Sequence, residues 1–243
     1  VGRMRAAFEG SAIGGAVARL GGMTGLGALG AGGAAAMVGR KGMTDALELE
    51  RVMYEVAKAT DVAGAELAGF QTALERMALA SGKPAAALGK MLASAGFAGR
   101  PKGELLQFTD YAAKAMNSWQ MSAEETGQGL AEIGNIYRAN QVRVQEIGDA
   151  INTAADISAA KESDLLEVLR RVGATGLQLG VSAENVLAMG AALKEVGTAP
   201  SVAATALQAL FTNLSLGEEA TKEFGEGLKA IGLNTKGLQK SLA

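Results

Sequence analysis

A chain of 243 residues with 23 basic and 25 acidic side chains has a net charge of −2 and no global attraction to nucleic acid. It contains neither cysteine nor histidine, which excludes thiol nucleophiles, disulfides, Cys/His metal sites and imidazole acid–base chemistry. Hydrophobic residues make up 49% of the chain but aromatics only 4%, and with 34 glycines and few β-branched runs this composition predicts an all-α protein without a sheet.

The first 42 residues form a Gly/Ala-rich apolar segment with basic flanks, Arg3, Arg5, Arg19, Arg40 and Lys41 being opposed only by Glu9. The chain opens on valine, so the expectation is a piece of a longer protein. Arg3 and Arg5 ahead of AIGGAVARL have the outline of a secretory signal, against which Glu9 and the weakly apolar run argue. Leu20 to Gly39 carries no charge, and within it Gly25 to Gly30 spells the G-x-G-x-x-G of a dinucleotide site. That site needs a strand before the glycines and a carboxylate about twenty residues on. Glu48 and Glu50 lie at that distance but belong to a helix, and the approach is too glycine-rich for a buried strand, so no cofactor is expected. The run has the length of a membrane span. Its candidate membrane or helix-packing residues are Leu20, Gly21, Gly22, Gly25, Leu26, Gly27, Leu29, Gly30, Gly32, Gly33, Met37 and Val38. Gly10 and Gly14, like Gly21 and Gly25, have the small-x-x-x-small spacing that lets helices touch backbone to backbone. A flexible or loosely helical connector is the alternative.

From residue 43 to 243 the pattern is amphipathic, and it predicts a multi-helix bundle of about ten short helices. Leu49, Val52, Met53 and Val56 share one face of a helix from Thr44, and Leu67, Phe70, Leu74 and Met77 one face of the next. Pro84, Pro101 and Pro200 fall where helices begin. The helix from Pro84 stops at Ala95-Gly96, and the one from Pro101 carries Leu105, Phe108, Ala112 and Ala115. Ser122 and Glu125 form a capping box, and a further helix runs through Ile147 and Ile151. Ser163 and Asp164 are expected to cap a helix with Leu165, Leu169 and Val172 aligned. Helices through Val186 and Leu193, beyond Pro200, and through Phe224, Leu228 and Ile231 complete the count.

Three helix starts echo one another at intervals near sixty residues, AGAEL at Ala63, MSAEE at Met121 and VSAEN at Val181. Either Ser-x-Glu recurs as good N-cap chemistry or the chain repeats a helical hairpin. Glu48, Glu124, Glu125, Asp164, Glu184, Glu218 and Glu219 cluster in first turns, where they complement the helix dipole. The carboxylates make no acid–base pair by sequence, so no enzyme is expected. Met53, Met77, Met91 and Met189 read as core filler.

The stretch RVGATGLQLGVSAENVLAMGAALKEVG, running into AATALQAL, holds an ordered set of motif residues. They are Val172-Gly173, Leu179-Gly180 with Ser182 and Glu184, Ala192-Leu193, Gly197, and Thr205-Ala206-Leu207. With Leu92-Ala93, Ala95-Gly96 and WQMSAEE upstream, the chain from about Ile13 to Gly232 resembles the core region of phage tail tape-measure proteins. It departs from them at Ala204, where the family has glycine, and in the less regular AGFAGRPKGELLQF. The resemblance implies a structural protein that sets tail length while tube subunits polymerise around it. It implies partners among its own copies and the tail-tube and tail-tip or baseplate proteins, and a place in the tail lumen after assembly in the host cytoplasm. It also implies release at infection, with the host membrane and envelope as a further contact. The other reading that the residues leave open is a membrane-active, pore-forming helical protein unrelated to tail assembly.

Overall fold

The computed structural model describes residues 32–242, with side chains from residue 44 to 241 apart from residue 218. These residues form eleven α-helices and no strand. In chain order they are α1 (Gly32–Thr60), α2 (Gly64–Ser81), α3 (Ala85–Phe97), α4 (Leu105–Trp119), α5 (Ala123–Ile136) and α6 (Gln141–Asp156). There follow α7 (Glu162–Gln178), α8 (Ala183–Glu195), α9 (Pro200–Leu216), α10 (Lys222–Ala230) and α11 (Thr235–Leu242). The all-α expectation holds. Helix α1 starts well before Thr44, and α11 was not anticipated because its eight residues are too short and polar for a periodic signal.

The helix ends follow local chemistry. Pro84 is the N-cap of α3, Pro200 is the first residue of α9, and Pro101 precedes a single 3-10 turn at Lys102–Glu104. The Ser122 hydroxyl accepts from the Glu125 amide while the Glu125 carboxylate accepts from the Ser122 amide, both at 3.2 Å, completing the expected capping box. The expected cap of α7 needs correction. Its N-cap is Lys161, whose amide faces the Asp164 carboxylate at 3.5 Å, so Ser163 falls inside the first turn. Gly197 ends α8 at φ 80°, a left-handed conformation that a side chain would strain.

Contacts divide the chain at Thr44, and the packing described next is that of the compact unit Asp45–Ala243. From α2 to α9 every helix packs against the next and against the next but one. This produces two layers, α3, α5, α7 and α9 in one, and α2, α4, α6 and α8 in the other. The first layer's helices begin at residues 85, 123, 162 and 200, so one hairpin repeats about every 38 residues. Side-chain hydrogen bonds between these helices obey the same period. Trp119 to Asn152 and Gln208 to Thr175 join residues 33 apart, Tyr111 to Asp149 and Arg170 to Glu132 38 apart, and Arg100 to Gln141 and Arg143 to Glu184 41 apart.

The repeat has a register. Leu92, Leu130, Leu169 and Leu207 occupy equivalent positions in α3, α5, α7 and α9, and all are buried. The echo near sixty residues is therefore not the structural period. Its three sites open α2, α5 and α8, every third helix, which alternate between layers; N-cap chemistry accounts for the likeness.

Glycine sets the distance between layer neighbours. A Cβ at Gly127 in α5 would lie 2.9 Å from the Met91 Cα of α3, and one at Gly96 in α3 would lie 3.0 Å from the Ala59 carbonyl oxygen of α1. Gly134 leaves room for Arg100, whose side chain is only 4% exposed. The Arg100 guanidinium bonds Glu104 at 2.9 Å and Gln141 at 3.3 Å and stands 5.2 Å from the Phe108 ring centroid. One buried cation thus ties the α3–α4 connection to the start of α6. After α9 the helices shorten to nine and eight residues. There a 3-10 turn at Gly217–Glu219 leads to α10, and α11 packs back on that turn, with the Gln239 amide donating to the Leu214 carbonyl.

Two glycines test this packing in opposite directions. Gly127→Leu should destabilise the chain by about 2 kcal/mol or more, because the added side chain meets backbone that cannot step aside. Gly69→Ala in α2, where nothing lies within 4 Å of a new Cβ, should stabilise it by about 0.5–1 kcal/mol through helix propensity. Urea-unfolding midpoints of the two variants decide the matter, and a stabilising Gly127→Leu would refute the packing argument.

Candidate interaction surfaces

The outward faces of the two layers differ in chemistry. Along the first layer, α1, α3 and α5 line a groove of about 560 Å³ with Glu48, Arg51, Glu55, Lys90, Glu124 and Glu132 around an apolar floor that includes Val52 and Ala93. Lys90 reaches Glu48 at 3.2 Å across it, and Phe97 stands 60% exposed at its edge. The next groove, about 530 Å³ between α5 and α7, carries Glu125, Glu132, Glu167, Arg170 and Arg171. Burial alone would raise the Glu132 pKa, but hydrogen bonds from Arg170 and Gln128 outweigh it and hold the carboxyl below its ordinary value. Glu125 is held low by its bonds from Ser122. Carboxylates fixed in the ionised form by a neighbouring cation or cap are poor proton shuttles at neutral pH.

Two tyrosines, Tyr111 and Tyr137, are held neutral by their surroundings. Burial, then the hydrogen bond to Asp149, pushes the Tyr111 hydroxyl well above its ordinary pKa, and burial does the same for Tyr137. Tyr111 donates to Asp149 Oδ1 at 2.9 Å over Gly148, and Tyr137 lies over Gly173, so both lock helices together instead of offering a nucleophile. Among the described residues no group of three or more acidic side chains could hold a metal ion.

The second layer presents an apolar groove of about 490 Å³ between α6 and α8, floored by alanines such as Ala154, Ala188 and Ala192 with Leu187, and edged by Glu184 and Glu195. Ile157 and Val196, at the ends of these two helices, are each 77% exposed. Sequence reasoning missed this groove, because single alanines on two separate helices give no local pattern.

The motif residues all fall on the hairpin α7–α8–α9, where they build turns and contacts. Val172 and Gly173 are buried in α7, with Gly173 against Ile136 of α5 and Tyr137 just after it. Leu179 caps α7, Gly180 turns at φ 80°, and the Ser182 hydroxyl caps α8 by accepting from the Asn185 amide at 3.2 Å. Glu184 pairs with Arg143 of α6 at 2.8 Å. Gly197 makes the next turn, Leu207 is buried, and Thr205 and Ala206 are exposed. Ala204 is buried at the position equivalent to Gly89, Gly127 and Leu166. Of the Gly/Ala-rich candidates, Leu20, Gly21, Gly22, Gly25, Leu26, Gly27, Leu29 and Gly30 lie outside the described residues, as does the G-x-G-x-x-G. Gly32, Gly33, Met37 and Val38 fall in the first part of α1. Among the described residues no helix is long and apolar enough to cross a membrane.

Comparison with known proteins bears on these surfaces. No solved structure matches the chain. The chain is 25% identical over 213 residues to a protein of Halomonas phage phiHAP-1 named "Probable tape measure protein", in an alignment covering 82% of this chain and 25% of the relative. The chain therefore spans about a quarter of the length of the curated relative it matches. The model of the family described as phage-related minor tail protein matches residues 75–243, from within α2 through every hairpin of the stack. The chain belongs to the phage-related minor tail protein family.

Proposed function

We propose that this chain is part of a tape-measure protein, which sets tail length, templates the tube subunits that polymerise around it, and leaves at infection to help deliver the genome through the host envelope. The observation that carries the reading is the one-dimensional packing of α2 to α9. Each hairpin of about 38 residues packs chiefly against its neighbours, so adding or removing one would change the length of the object with little disturbance to the rest. The name of the Halomonas phage relative supports it. In this reading the protein acts in the tail lumen of the virion after assembly in the host cytoplasm. Its partners are its own copies and the proteins of the tail tube and the tail tip or baseplate. The mixed-charge grooves of the first layer and the apolar groove between α6 and α8 are the surfaces available for them.

Residues 1–42 are assigned a separate role. The uncharged run Leu20 to Gly39, with Arg19 before it and Arg40 and Lys41 after it, is the part proposed to contact the host membrane on release.

Deleting residues 123–161, one hairpin, from the phage-encoded protein should shorten the tail in electron micrographs. The loss should be roughly 10 Å if hairpins stay stacked at helix-packing distance, and about 60 Å if the chain is drawn out as helix at 1.5 Å per residue. Tails of unchanged length would contradict the tape-measure reading. For the first segment, the chain should float with anionic liposomes and lose that property when residues 20–39 are removed. Equal flotation of both chains would remove the membrane role.

A further inference from the structure

Glycines inside the helices of the stack serve close approach. At every glycine within α3, α5, α6, α7 and α8 a Cβ would come within 3.1 Å of an atom outside that helix. Helix α10 departs from this rule. Gly225 and Gly227 are two of its nine residues, neither has a left-handed backbone, and nothing lies within 4 Å of a Cβ on either. Gly69 of α2 is also open, but in a helix of eighteen residues. A glycine inside a helix disfavours it roughly fivefold relative to alanine, because the unfolded backbone is so much freer. In α10 that loss is matched by no contact.

Burial along this segment is sparse as well. Each of α3 to α9 buries five or more residues, whereas α10 buries Leu228 alone. Phe224 of α10 and Leu238 of α11 are half-buried against the core, and Ile231, just after α10, is 69% exposed. Polar ties add to this and reach the last turn of α9. The Thr221 amide and hydroxyl each donate to the Asn213 side-chain oxygen at 3.4 Å, and the Gln239 side-chain amide donates to the Leu214 carbonyl. The bends on either side of α10, at Gly217 and Gly232, are left-handed at φ 59° and 77°. The segment therefore turns back on α9 through two positions that favour glycine.

We propose that residues 220–242 form a clasp, in which α10 and α11 open together from the last turn of α9 while α2 to α9 stay folded. Closed, it engages the Asn213 side chain and the Leu214 carbonyl; open, it frees both, along with Phe224 and Leu228 of α10. The two helices move as one because each holds the other in place. Thr221 ties the start of α10 and Gln239 ties α11, so loss of one tie leaves a helix of nine or eight residues, too short to persist alone in water. Any contact made through the freed groups is gated by this equilibrium, and whatever binds one state shifts the population toward it. The clasp goes beyond the setting of tail length and does not rest on it.

Native-state hydrogen exchange on the full chain tests the clasp, read by mass spectrometry under conditions where reclosing outpaces exchange. Amides of residues 224–242 should exchange on the order of a hundredfold faster than the slowest amides of α7. Low urea should hardly promote that opening, because it exposes little surface. Gly225→Ala combined with Gly227→Ala, both at open positions, should slow exchange across α10 and α11 roughly twentyfold and leave α7 unchanged. Gln239→Ala should speed it roughly fivefold in α10 as well as in α11, although the lost bond belongs to α11 alone. The proposal is overturned by exchange of the segment as slow as that of α7, or by no protection in it at all. An alanine pair that changes nothing or slows α7 equally overturns it too, as does a Gln239→Ala effect confined to α11.

Discussion

Close approach between helices of one layer is the constraint on which the rest depends. Where a Cβ at Gly127 would sit 2.9 Å from the Met91 backbone, two helices meet almost main chain to main chain. That separation lets Leu130 reach the core between layers and lets the next helix fall at the same distance. With only 4% aromatic residues and an apolar content that leans on alanine, the chain has little side-chain volume for a wide core. Short helices in two thin layers bury what it has, and Leu88, Leu92, Leu105, Leu165 and Leu169 are fully buried in consequence. Composition, hairpin period and contact pattern are therefore one solution to one packing problem.

This arrangement relates stability to function in an unusual way. In a stack where neighbours touch only neighbours, the stability of the whole is a sum of hairpins and their interfaces. Such a chain tolerates gain or loss of a hairpin, and its grooves recur along its length. Polar ties are placed between hairpins, with Arg100, Tyr111, Arg143 and Arg170 each reaching into the hairpin on one side of their own. These residues would be candidate acids, bases or binding groups in a pocket. Here each is spent on register between hairpins.

Much of the fold was legible because helix boundaries are local. Prolines, the Ser122 capping box and the apolar spacing placed α2 to α10 without reference to tertiary contacts. The period of 38 was not legible, because the inserting position is glycine, glycine, leucine and alanine in turn at 89, 127, 166 and 204, and only the leucine at 92, 130, 169 and 207 is constant. Equivalence there lies in burial, which sequence spacing does not report. Arg100 was missed for the related reason that a charged residue after a glycine reads as surface, while its burial depends on the hole left by Gly134 more than thirty residues on. The family-like motif at Val172 to Leu207 was found by order and spacing, and its residues are the turns and contacts of one hairpin, so it marks the fold more than a site.

The central claim is that the hairpins are stacked in order and do not close on themselves. Double electron–electron resonance between spin labels at equivalent surface positions measures this, using Lys90→Cys paired in turn with Gln128→Cys, Glu167→Cys and Thr205→Cys. With neighbouring helices roughly 8–10 Å apart, the stack predicts distances that grow at each step, the last exceeding the first by about 15–20 Å. A distance from 90 to 205 no longer than that from 90 to 128 would contradict it.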